Sequence, residues 1–242
     1  MNTPLHPPAT LSTLEPHHQH PQRGLGLLLI AEALLSFAPV VILGAAIGWP
    51  ASLDKPAADQ LAAIAAQPEA VTLGYAVYLL YSILIAPVMI GLAARSLGGL
   101  NNPVAMTVVA FAALSALARS IGILRWLTVM PRLASAQGGA GPALQTQIEL
   151  LFDALTTYGG GIGEVLGVSV FMAAALGTLA AGALRHGGMP KWLAWSGLLC
   201  ALLLAALALP VLRGPELVPI AVAVSALSMW MISAGVWAMR SR

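Results

Sequence analysis

Between residues 24 and 239 the chain is built from six apolar blocks, at about 24–48, 71–94, 103–124, 161–184, 190–209 and 216–239. A bilayer core of about 30 Å is crossed by roughly 20 helical residues at 1.5 Å each, so every block is long enough to span it. Turn formers separate them: Trp49-Pro50, Gly98-Gly99 with Asn101-Asn102-Pro103, Gly138 to Pro142, Gly187-Gly188 before Pro190, and Gly214-Pro215. Only 8% of the residues are charged and 59% are hydrophobic, whereas a soluble domain carries about a quarter charged residues. So few charges cannot clothe a water-soluble globule of 242 residues. The expected fold is therefore all-α: a polytopic transmembrane bundle of six helices, with the lipid bilayer as its first partner.

Orientation follows from arginine and lysine placement, since cytoplasmic loops are enriched in both. With the amino terminus inside, the inner loops and tails hold Arg23, Arg95, Arg185, Lys191, Arg240 and Arg242, against Lys55, Arg132 and Arg213 outside. The expectation is that both termini are cytoplasmic. Residues 1–23 are proline-rich and polar and read as a disordered cytoplasmic tail preceding a transmembrane domain at 24–242. The basic residues form no stripe, which argues against nucleic acid. Cys200 is the single cysteine, so neither a disulfide framework nor a cysteine metal site is available.

Two outer stretches carry helical periodicity. Pro56–Pro68 places Leu61 and Ile64 on one side and Asp59, Gln60 and Gln67 on the other. Pro142–Tyr158 spaces Leu144, Ile148, Leu151, Phe152 and Leu155 for one face. Each is expected to be a short amphipathic helix on the outer side, the second serving as a lead-in to the fourth span or as a lid over the bundle.

The segment Tyr158–Val168, YGGGIGEVLGV, is the most informative polar motif. It is not a dinucleotide loop, because Leu166 stands where the third glycine of G-x-G-x-x-G belongs, and no Gly-Lys-Ser/Thr occurs anywhere in the chain. Gly159, Gly163 and Gly167 instead recur every four residues, the spacing of a helix-packing face in lipid. Beside them stands Glu164. With Glu32 in the first block and Arg119 in the third, it is one of three charges inside the predicted spans, where each costs roughly 2.5 kcal/mol or more and favours a partner in the bundle interior. Counted along the helices from the inner surface, Arg119 lies about 24 Å deep, Glu164 about 31 Å and Glu32 about 12 Å. Depth alone therefore offers Arg119 or Arg125 as the partner of Glu164. For Glu32 it offers Arg95 or Arg185, or a protonated side chain without a cation.

Other chemistry is thinly represented. His17, His18 and His20 lie in the flexible tail without a fixed geometry, so no metal site is expected. No histidine occurs within a span, there is no H-E-x-x-H or G-x-S-x-G, and Ser196 has no histidine at its depth. No cofactor and no catalytic residue are assigned. Pro39 and Pro87 each interrupt a block and are candidates for kinks that free backbone carbonyls.

The run GGGIGEVLGVSVFMAAALGTLAAGALRHGGMPKWLAWSGLL, together with the arginine in ALARSIGILRWL, resembles a bacterial family of six-helix inner-membrane proteins catalogued as a domain of unknown function. The resemblance extends from about residue 24 onward. It implies a bacterial inner membrane and a six-helix architecture, and it implies no activity. Two functions of different kinds remain open. One is a bundle that binds or permeates a small molecule or a proton through a polar cavity built on Glu32, Arg119, Glu164 and Arg125. The other is a non-catalytic membrane partner or sensor subunit whose glycine face binds another membrane protein. An enzyme acting on lipid is a distant third.

Overall fold

A computed structural model describes residues 22–240. The tail with His17, His18 and His20 lies outside them. Ten α-helices run α1 Arg23–Leu35, α2 Ala38–Ile47, α3 Ala57–Ala66, α4 Pro68–Ser96, α5 Pro103–Thr128, α6 Met130–Gln137, α7 Pro142–Gly160, α8 Met172–His186, α9 Lys191–Ala206 and α10 Ile220–Arg240. Between α7 and α8 the helix continues without interruption as a π-helical segment, Gly161–Phe171. There is no strand among the described residues.

Five helical stretches are long and apolar enough to cross a membrane: Arg23–Ile47, Pro68–Ser96, Pro103–Gln137, Pro142–His186 and Ile220–Arg240. The fifth apolar block, 190–209, appears as α9, which at 16 residues falls short of the length of the others. It lies between α8 and α10, tied to α10 by the Trp230 indole N–H, which donates to the Leu193 carbonyl at 2.9 Å.

The first block is broken. Pro39 has no N–H to offer the Leu35 carbonyl four residues back, so the ladder stops at Leu35. The Ser36 hydroxyl donates to the Ala33 carbonyl at 2.6 Å and lies 3.0 Å from the Ser228 hydroxyl on α10. Pro87, in contrast, sits inside α4, and that helix continues past it to Ser96. At the start of α5, the Asn102 side chain accepts from the Val104 N–H at 2.8 Å, with Pro103 at the first helical position where its missing N–H costs nothing.

Both ends of the described chain meet at one end of the bundle, where the Gln22 N–H donates to the Ala238 carbonyl at 3.1 Å. At the opposite end α3, α6 and α7 gather into a cap with its own core, including Leu61, Ile64, Trp126, Met130, Ile148 and Phe152. The expected helices at 56–68 and 142–158 are both helical, and the second is continuous with the fourth span. The sequence reading placed Gln60 on the polar side of the first. It is buried instead, and its side-chain amide donates to the Leu53 and Lys55 carbonyls at 3.3 and 2.7 Å. Those bonds fasten the Ala51–Asp54 turn onto α3.

In the bundle proper, α5 is the central helix, packed against α4, α8 and the π-helical segment. Helices approach closely where glycines remove side chains. A Cβ on Gly122 of α5 would meet the Gly163 Cα at 2.7 Å and the Gly159 carbonyl oxygen at 2.8 Å. Close approach of this kind supplies the dispersion contact that stands in for hydrophobic driving force in lipid. A second such contact joins α1 to α10, where a Cβ on Gly235 would lie 2.8 Å from the Gly26 carbonyl oxygen.

Candidate functional site

The π-helical segment is where packing and polarity converge. A π-helix replaces the four-residue hydrogen-bond step with one of five, and such segments are frequent at functional sites. Here the Met172 N–H reaches back five residues to the Gly167 carbonyl, and the Ser115 hydroxyl of α5 donates to the same carbonyl at 2.7 Å. On the other side the Ser169 hydroxyl donates at 2.6 Å to the Leu204 carbonyl of α9, in the last turn where helical carbonyls lack intrahelical partners. The segment is thus pinned to α5 and α9 by two buried hydroxyls.

The glycine face read from the sequence points into the bundle. Gly159 lies against the Arg125 side chain, Gly163 against Gly122, and Gly167 against Ser115 and Arg119. The glycines make room for the two arginines as well as for the α5 backbone.

Arg119, Arg125 and Glu164 line one cavity, together with Tyr75 and Tyr78 of α4, Trp49 and Leu53 from the turn that precedes α3, and Gly159, Gly160 and Gly163. Its volume is about 40 Å³, where a water needs roughly 10–15 Å³ and a drug-sized ligand roughly 300–1,000 Å³. It holds a few waters or one small ion. Arg119 is buried at its inner end, with its guanidinium carbon 4.5 Å from the centre of the Tyr81 ring. That stacking offsets part of the cost of burying a cation. Arg125 donates to the Gly122 carbonyl at 2.6 Å and lies 5.3 Å from the Trp126 ring centre. Glu164 is exposed and borders a second cavity of about 160 Å³ that also holds Glu216. Its carboxylate is coupled electrostatically to Arg125, the alternative partner that depth counting allowed. Arg119 shares the cavity with Glu164 without a hydrogen bond between them among the described contacts.

For Glu32 the sequence left open an arginine partner, Arg95 or Arg185, or a protonated side chain without a cation, and neither arginine is hydrogen-bonded to it. Arg95 instead faces the Trp237 ring at 4.7 Å, and Arg185 is exposed in the last turn of α8. Glu32 is wholly buried, and both of its carboxyl oxygens lack a hydrogen-bond partner. Depth along a helix says nothing about the direction in which a side chain leaves it, and that direction decides the pairing.

Sequence reasoning missed the tyrosines. Tyr75, Tyr78 and Tyr81 recur every three residues along α4, in YAVYLLY, and three of the chain's four tyrosines are therefore on one stretch. That clustering was a legible signal. Tyr75 stacks on Trp126 with ring centres 4.8 Å apart, and its buried hydroxyl has no partner. Ser196 donates to the Leu193 carbonyl at 3.0 Å within its own helix, and Cys200 is buried as a packing residue.

Comparison with curated proteins and with solved structures returned no match. A family model does match, over residues 25–239, nearly the whole of the described chain including every residue of the cavity. The chain accordingly belongs to the family defined by the domain of unknown function DUF4386.

Proposed function

We propose that this protein is an integral membrane protein that binds or permeates a small polar solute, or a proton, through the cavity between α4, α5 and the π-helical segment. The observation that carries the reading is the convergence of Arg119, Arg125 and Glu164 on one cavity with Tyr75 and Tyr78. Intramembrane ionisable groups are costly and point by default to function. A site meant only to hold helices together would place those groups in direct ion pairs rather than around open space. In this reading α9 spans the membrane as well, as the fifth of six spans, the cap faces the outside, and both termini lie in the cytoplasm of a bacterium with the chain in its inner membrane.

The alternative, a partner or sensor subunit, rested on the glycine face. Gly159, Gly163 and Gly167 are occupied by α5 and its arginines, so that face is not free to receive another protein.

The test is a melting screen of the protein in lipid nanodiscs against polar solutes no larger than acetate. The reading expects at least one to raise the melting temperature, and expects Glu164→Gln and Arg119→Lys to remove that response while the unliganded protein still melts cooperatively. If no solute shifts the wild type, or if both variants respond as the wild type does, the cavity is not the working site.

A further inference from the structure

The class of solute can be narrowed, on the footing that the cavity is the working site. Charge comes first. Arg119 and Arg125 bring two cations to the lining against one carboxylate, Glu164. Glu32, wholly buried with both carboxyl oxygens lacking a hydrogen-bond partner, makes no hydrogen bond to Arg119.

Donors come second. The Tyr75 hydroxyl, on a residue only 2% exposed, has no partner and belongs to a cavity-lining side chain. The Nε of Arg125 is likewise buried and unpartnered. Tyr78 adds a further hydroxyl to the lining. Against these donors the lining offers one anionic side chain, Glu164. A cavity rich in unmet donors and poor in acceptors suits an anion. Its 40 Å³ admit only a small one.

We propose that the cavity binds one small monovalent anion against Arg119, with Tyr75 and Arg125 as further donors. Glu32, wholly buried with both carboxyl oxygens lacking a hydrogen-bond partner, is costly to ionise and does not supply the missing negative charge.

The experiment titrates sodium formate into the full chain in nanodiscs and reads the melting temperature. Equal sodium gluconate, an anion too large for the cavity, and formamide, the neutral analogue of formate, are the controls. Formate is expected to raise the melting temperature of the wild type well above either control. Tyr75→Phe should weaken formate severalfold and leave the fold intact, which keeps the proposal testable if Arg119→Gln does not fold.

If formamide stabilises the wild type and formate does no more than gluconate, the anion proposal is wrong while the cavity remains the site. If none of the three solutes is distinguished, the cavity reading fails with it.

Discussion

At the residue scale the structure turns on how closely α5 and the π-helical segment approach. Gly122 and Gly163 face each other across that contact, and the backbone itself blocks any added side chain at Gly122. Gly122→Val should therefore destabilise the protein by about 1–3 kcal/mol, the usual cost of overpacking, as a lower melting temperature in nanodiscs. Gly161, two residues before Gly163, has open space around its Cβ position. Gly161→Ala is expected to leave stability unchanged or raise it by about 0.5–1 kcal/mol, because alanine has less freedom to lose in a helix than glycine. Residue-level reasoning from the sequence identified Arg119, Arg125 and Glu164, and all three line one cavity. For Glu32 it left an arginine partner and a protonated acid both open, since depth fixes the position along a helix and not the side chain's azimuth. It also passed over Tyr75 and Tyr78, because an aromatic residue inside an apolar block carries no charge to draw notice.

At the element scale, apolar block length located the helices well and located their interruptions poorly. The break after Leu35 follows from the missing N–H of Pro39, while α4 runs on past Pro87 to Ser96. The same residue type gives two outcomes, which residue type alone does not tell apart. The π-helical segment was not legible at all, since its hydrogen-bond step depends on contacts with Ser115 and the end of α9 that lie far away in sequence. Gln60 was read as a surface residue from its polarity. Its amide is consumed by two carbonyls of the turn that contributes Leu53 to the cavity. Gln60→Ala should cost about 1–3 kcal/mol by leaving buried groups without partners, and hydrogen exchange should quicken at residues 51–55 before it does in the bundle. Faster exchange spread evenly over the molecule would contradict that local role.

At the scale of the whole molecule, two kinds of cohesion operate. The bundle is held by close helix packing and a few buried hydroxyl bonds, while the cap has a core in which water exclusion contributes. Phe152, wholly buried there beside Trp126, should on replacement by alanine cost about 3–5 kcal/mol. Limited proteolysis is expected to open the cap first, with the bundle persisting. Membership of the DUF4386 family extends over cap and bundle alike, so the cavity between them belongs to one domain. Trp49 and Leu53, from the turn that precedes α3, line the cavity on the cap side, and the proposed function requires water to enter there. The most direct measurement replaces Cys200 by alanine, introduces Gly160→Cys at the cavity wall and follows its reaction with a charged, membrane-impermeant thiol reagent in nanodiscs. Val170→Cys, on the exposed apolar face of the same π-helical segment, is the comparison. The account predicts that the Gly160→Cys protein is labelled readily and the Val170→Cys protein is protected by lipid. Equal protection of both would mean that water does not enter the cavity, and would contradict the account.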